Sequence, residues 1–322
     1  TNVGRVTNKG IELAINATPV TTKNFTWETT LNLAHNKGRV HDLMTGQDIL
    51  YVTDVQVGNA KAASFNTKPA VYDDNGNLVS EAVDGLFMGI SGSKWMRDPN
   101  GNVVVDSNTG LPRSDGVTTH LIGNREPKVS GGWDNSLQYK NWNLSFLFDY
   151  RIGGDIYNGT EYMMTNAGLS TRTLDRESIT VNGVVNTGTD AAPVYEPVST
   201  TYTAGNMYNI NGTLTSGEKM IQDYWSAYLN ESANFITETN WLRLRSLSIS
   251  YDFKDLIKGQ DIIKGLTATL SGTNLWLWTN YDGLDPENSA AGAGVVGSGS
   301  AYIDYCGVPS TAGFSFGINL TF

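Results

Sequence analysis

The last ten residues, Gly313-Phe314-Ser315-Phe316-Gly317-Ile318-Asn319-Leu320-Thr321-Phe322, alternate apolar with small or polar side chains without a break. A period of two separates the two faces of a strand. Phe314, Phe316, Ile318, Leu320 and Phe322 share one face, and Gly313, Ser315, Gly317, Asn319 and Thr321 share the other. In water, an exposed strand edge of this kind invites aggregation. A membrane barrel uses such a strand to close its sheet, with the apolar face in lipid and the other toward a wet interior.

Bulk properties agree with that geometry. The mean hydropathy of −0.27 looks soluble, but half of every barrel strand faces water, so a barrel gives such a value too. No apolar run approaches the length of a transmembrane helix. A net charge of −10 argues against nucleic acid, which requires clustered Lys and Arg. The single cysteine, Cys306, excludes an internal disulfide and a cysteine-based zinc site. The start, Thr1-Asn2-Val3-Gly4-Arg5, is polar and lacks an export signal, so Thr1 is not expected to be the natural start of an exported protein.

Seven segments carry the strand period: 5–17, 24–36, 129–139, 142–150, 238–253, 265–278 and the C-terminal strand. In 142–150, for example, Trp142, Leu144, Phe146, Phe148 and Tyr150 oppose Asn143, Ser145, Leu147 and Asp149. The connections 18–23, 140–141 and 254–264 are short, while 38–128, 151–237 and 279–311 are long. Short turns on the periplasmic side and long loops outside are the barrel asymmetry. The parity holds if 38–128 adds an even number of membrane strands. That region reads as loop with embedded hairpins, turning at Asp74-Asn75-Gly76-Asn77 and at Asp98-Pro99-Asn100-Gly101-Asn102. Trp142 and Phe253 near short turns, with Trp276 and Trp278 beside a long loop, fit interfacial girdles. Arg243 and Arg245 carry lipid-facing parity, which is costly at mid-bilayer; they belong above the hydrocarbon or beyond a bulge.

An ordered set of short motifs resembles the SusC/RagA-type TonB-dependent transporters of Bacteroidota outer membranes. It runs from Asn8-Lys9-Gly10-Ile11-Glu12-Leu13 through Gly123-Asn124-Arg125-Glu126-Pro127-Lys128 and Gly131-Gly132-Trp133-Asp134-Asn135. It continues with Phe148-Asp149-Tyr150-Arg151-Ile152-Gly153-Gly154-Asp155 and Asp223-Tyr224-Trp225. Trp241-Leu242-Arg243-Leu244-Arg245-Ser246, Gly272-Thr273-Asn274-Leu275 and Tyr281-Asp282-Gly283-Leu284-Asp285-Pro286-Glu287 complete it before Phe322. One departure is Val308-Pro309-Ser310-Thr311-Ala312, where such proteins often carry Tyr-Pro and Arg. The resemblance implies an all-β, antiparallel transmembrane β-barrel of about 22 strands. Residues 1–322 would form a C-terminal portion of that one barrel domain, with long extracellular loops, and the plug and TonB box would lie outside this chain. Phe322 would be the barrel-assembly signal.

The implied activity is import across the bacterial outer membrane of oligosaccharides or peptides. It would use a SusD-like surface lipoprotein, the remainder of the same transporter, and TonB acting through the plug. Ser246, Ser248, Ser250, Thr267, Thr269 and Ser271 would line the lumen, and the loops would meet cargo or lid. Trp95, Tyr224, Trp225, Tyr281, Asp282 and Tyr302 are candidate contacts, since exposed aromatics stack on sugar rings or peptide side chains. For Tyr224 and Trp225, packing of the loops into an ordered rim is the preferred reading.

Other chemistry is thin. Gly292-Ala293-Gly294-Val295-Val296-Gly297 matches a dinucleotide fingerprint but lacks the flanking strand and helix. Asp73, Asn75, Asn77, Glu81 and Asp84 imitate a calcium loop without its turn glycine. Asp282, Asp285 and Glu287 suit a cation or sugar hydroxyl, yet a structural role is favoured. His35, His41 and His120 lack metal spacing, and no Gly-x-Ser-x-Gly elbow presents a nucleophile. No enzyme activity, metal or cofactor is expected. Two rival readings remain: a passive outer-membrane porin, and a secreted all-β carbohydrate-binding module whose apolar faces pack as a sandwich.

Overall fold

A computed structural model of the chain describes residues 4–44, 46–72, 78–174, 178–203, 221–259, 262–290 and 302–322. Its principal element is a seven-stranded antiparallel sheet in which each strand pairs with the next in the chain. The strands are β1 (Arg5–Thr21), β2 (Phe25–Asp42), β3 (Val129–Tyr139), β4 (Trp142–Ile152), β5 (Trp241–Asp252), β6 (Gly265–Thr279) and β7 (Gly313–Thr321). All seven expected strands are present. The first two are longer than expected: β1 runs through Pro19, where a register shift between Ala17 and Val20 accommodates the missing N–H. The fifth is shorter, because Ile236–Glu238 leaves the wall and joins another sheet.

Register fixes the two faces. Leu270 lies opposite Phe316, Ala268 opposite Ile318, and Ile249 opposite Leu270, which makes one apolar surface. Its large side chains are uncovered, Phe314 being 76% and Trp278 55% exposed. Trp133 stacks on Phe148 at 6.1 Å and meets Phe146 edge-on at 6.0 Å on the same face. Two polar groups sit within it, and each is capped by an indole. Trp27 Nε1 donates to Asn135 Oδ1 at 3.0 Å, and Trp133 Nε1 donates to Thr29 Oγ1 at 2.9 Å. A face in lipid favours such internal satisfaction, since no water is there to supply it, although Asn135 Nδ2 finds no hydrogen-bond partner among the described residues. The opposite face pairs Ser248 with Ser271 and Ser250 with Thr269, and the Ser271 and Ser315 hydroxyls meet at 2.8 Å.

The arginine parity is resolved by a bulge. Between adjacent Leu147 and Phe148 of β4, the partner on β5 advances from Ser246 to Leu244, so Arg245 is an extra residue. Its insertion flips the parity above it. Leu242 and Leu244 then join Trp278 and Trp276 on the apolar face, and Arg243 and Arg245 turn to the polar side.

Among its described residues, region 38–128 adds no further strand to the wall, which satisfies the parity. It contains a four-stranded sheet of Ile49–Val57, Ala60–Phe65, Gly89–Gly92 and His120–Asn124, a sheet the sequence does not announce. The Asp98 turn is as expected, with Asp98 Oδ1 accepting from the Asn100 and Asn102 amides at 2.9 and 2.7 Å. The Asp74–Asn77 turn lies outside the described residues, although Val71–Tyr72 and Leu78–Ser80 pair on either side of it.

Candidate functional site

All three long connections leave the same end of the sheet, and they build one cap there. Val57, Ala60, Ala62 and Ile90 come from the first, Tyr157 and Phe235 from the second, and Ile303 from the third, and together they form one buried apolar core. Backbone pairing reinforces it: Asp155–Asn158 lies between Ile236–Glu238, antiparallel, and Ile303–Asp304, parallel. Tyr157 is fully buried, and that desolvation raises its hydroxyl pKa.

The cap is fixed to the wall by ion pairs. Arg243 is 3% exposed and contacts Asp285 Oδ1, with Glu287 Oε2 at 2.8 Å from its Nε. Arg245 Nε donates to Asp149 Oδ2 at 2.7 Å, and its Nη2 to Glu287 Oε1 at 2.8 Å. Burial alone would raise the Asp285 pKa; the backbone amides of Glu287 and Ser310, with Arg243, hold it below its ordinary value. Asp285 and Glu287 therefore serve as anchors, in line with the structural role favoured from sequence. Asp282 is exposed.

A second anchor lies beside the first. Tyr302 adopts φ of 70° and stacks on the Arg151 guanidinium, 3.4 Å from the ring centre. Arg151 also donates to the carbonyls of Gly153 at 3.0 Å and Arg125 at 2.6 Å. Tyr281 is buried and donates its hydroxyl to Asp304 Oδ2 at 2.8 Å, so its ring belongs to the core in this structure. Burial raises the Asp304 pKa.

Trp95, Tyr224 and Trp225 are brought together around Tyr228. Trp95 meets Tyr228 edge-on at 6.2 Å, and Trp225 meets it at 5.2 Å. Trp95 also donates from Nε1 to the Ala227 carbonyl and from its amide to Glu231 Oε2. All three rings stay partly accessible. Beside Trp225, a cleft of about 310 Å³ opens between α1 (Gly159–Asn166) and α2 (Ile221–Tyr228), lined by Thr165, Asn166, Thr173 and Gln222.

The polar face carries a cavity that the sequence reading missed, of about 380 Å³, lined by Asn8, Asn36, Glu126, Ser130, Phe87 and Met88. Glu126 Oε1 accepts from the Gly38 amide at 2.6 Å, and burial raises the pKa of this carboxyl. Asn8 and Asn36 share the parity of Glu12 and Ala34; that strand period was the available signal.

The remaining sequence candidates are accounted for locally. Glu81 pairs with Lys94 and Asp84 with Arg39, while Asp73, Asn75, Asn77 and the Gly292–Gly297 run lie outside the described residues. His120 contacts Asp115, His41 contacts Thr7, and His35 contacts the Lys128 carbonyl. No metal-ligand cluster occurs among the described residues.

Comparison with known proteins gives a consistent picture. No family model matches the chain. It is 29% identical over 331 residues to a TonB-dependent receptor of Formosa agariphila, covering 100% of this chain and 30% of that protein. It is 27% identical over 338 residues to the TonB-dependent receptor SusC of Bacteroides thetaiotaomicron, covering 100% of this chain and 27% of that protein. Among solved structures, the RagAB peptide transporter superposes with a TM-score of 0.57 at 16% identity, over 100% of this chain and 30% of that one. The chain thus spans about 30% of the length of the relatives it matches. It resembles SusC/RagA-type TonB-dependent transporters from end to end, and its fold is a portion of their antiparallel β-barrel.

Proposed function

We propose that this chain is part of a single barrel domain in an outer-membrane importer driven by TonB, and that it supplies seven adjacent strands of the wall and the cap above them. The observation that carries the reading is the two-faced sheet: an uncovered aromatic face, a polar face, and all short turns at one end. The apolar face would meet lipid and the short turns would face the periplasm. Ser246, Ser248, Ser250, Thr267, Thr269 and Ser271 would line the lumen, and Phe322 would direct assembly. The plug and the contact with TonB would come from the remainder of the same transporter.

Cargo would be an oligosaccharide or a peptide, captured under a SusD-like lipoprotein resting on the cap. Trp95, Tyr224, Trp225, Asp282 and Tyr302 are the contacts offered to cargo or lid, and Tyr281 would support them from the core. Amphipathic rings supply contact area at low entropic cost for either cargo. The test is uptake by cells carrying the full-length transporter. Labelled oligosaccharide or oligopeptide should accumulate only when TonB and the inner-membrane proton gradient are intact. Accumulation that persists without either would replace the importer by a passive pore.

A further inference from the structure

The net charge of −10 is distributed unevenly along the barrel axis. The long connections, 43–128, 153–240 and 280–312, hold 24 acidic and ten basic residues. The short ones, 22–24, 140–141 and 253–264, hold five lysines against two aspartates. The two sets also behave differently. Five of the described cap cations pair with carboxylates: Lys68 with Asp48, Lys94 with Glu81, Arg97 with Glu231, Lys128 with Glu238 and Arg172 with Glu161. Lys23, Lys140, Lys254, Lys258 and Lys264 are exposed, and none forms an ion pair among the described residues. The nearby carboxylates are used elsewhere: Asp255 Oδ2 accepts from Asn141 Nδ2 at 2.6 Å, and Asp252 Oδ1 accepts from the Lys254 amide at 3.0 Å.

Directly above these lysines runs an unbroken cross-strand row of aromatics on the apolar face. Phe25 pairs with Tyr139, Tyr139 with Trp142, and Trp142 with Tyr251. Trp142 and Tyr251 lie 4.7 Å apart, Tyr251 and Phe253 4.8 Å apart, and Lys140 Nζ stands 5.5 Å over Tyr139. Aromatic rings with an apolar body and a polar tip settle at the headgroup level of a bilayer. Five exposed ammonium groups just beyond that level are complementary to phosphate.

We infer that the short-turn end is a binding belt for anionic phospholipid, in which the Phe25–Tyr139–Trp142–Tyr251 row sets the depth and the five lysines select headgroups lacking a compensating positive charge. This rests on the barrel reading, because it requires the apolar face to be in a bilayer. Neutral, zwitterionic phospholipid would satisfy the aromatic row equally well but gain nothing from the lysines.

The test is quenching of tryptophan fluorescence by brominated phosphatidylglycerol and brominated phosphatidylcholine, with the full-length transporter in mixed bilayers. The expected result is a relative binding constant of about 5 in favour of phosphatidylglycerol at low salt, the factor for roughly one lysine–headgroup contact. The preference should fall with added salt and be lost when all five lysines are replaced (K23Q, K140Q, K254Q, K258Q, K264Q). A ratio near unity in the wild type overturns the proposal, and so does a preference that survives in the variant. The wild-type ratio stands without the variant if the latter does not assemble. Quenching by neither lipid would instead remove the barrel reading itself.

Discussion

At the scale of single residues, the cap depends on two buried carboxylates with opposite titration. Asp285 is held below its ordinary pKa, so its contribution is present above the unfolded-state value and is lost as pH falls through the folded one. Asp285→Asn removes one of the two carboxylates paired with buried Arg243 and leaves Glu287, and is expected to cost about 1.5–3 kcal/mol. The check is limited proteolysis of the full-length protein in detergent, with cleavage in 280–312 increasing. Asp304 behaves in the opposite sense. Its pKa is raised by burial, so its contribution is complete below the unfolded-state value and is lost as pH rises through the folded one. Asp304→Asn is therefore expected to protect the same segment from protease at neutral pH and to flatten that part of the pH profile. Tyr281→Phe keeps the ring in place and removes the hydroxyl that Asp304 Oδ2 accepts from, so it is expected to raise the Asp304 pKa further.

At the scale of elements, the Arg245 bulge separates two regimes of one strand. Deleting Arg245 closes the bulge and restores a continuous period of two, with Leu244 still opposite Phe148 and Arg243 still opposite Asp149 on the polar face. The heat-modifiable band of the assembled barrel on gels is expected to survive this deletion and to be lost on deletion of Leu244, which would carry Arg243 opposite Phe148 on the apolar face. Tyr157→Ala opens a cavity in the shared core and is expected to cost about 3–5 kcal/mol. Loop cleavage should then rise while the wall keeps its resistance to SDS. The wall was legible in the sequence because its environment imposes strict alternation: Trp142 to Tyr150 and Phe314 to Phe322 each announce a face residue by residue. The cap was not, because its core is assembled from single residues such as Ile90, Phe235 and Ile303, far apart in the chain and carrying no local period. The bulge left a trace in the misplaced parity of Arg243 and Arg245. The cavity beside Glu126 left only the parity of Asn8 and Asn36, because Phe87 and Met88 reach it from a loop.

At the scale of the whole molecule, the wall and the cap obey different solvents. The wall leaves Trp276, Phe316 and Ile318 uncovered, so the full-length protein is expected to need detergent or lipid to remain dispersed, which ultracentrifugation after detergent removal would check. A clear supernatant would favour the secreted module. The three long connections share one core, and this bears on how such a protein can diversify. A short turn such as 140–141 meets its neighbours through a few hydrogen bonds, including those from the Lys140 amide to the Asn24 carbonyl and from Asn141 to Asp255, so it is replaceable piecemeal. Ile90, Tyr157 and Ile303 must fit one another, so an exchange of one long segment between relatives leaves two mismatched partners. New specificities would then arise by recombination that carries all three segments together, or by slow point substitution at the accessible rim around Trp95 and Trp225.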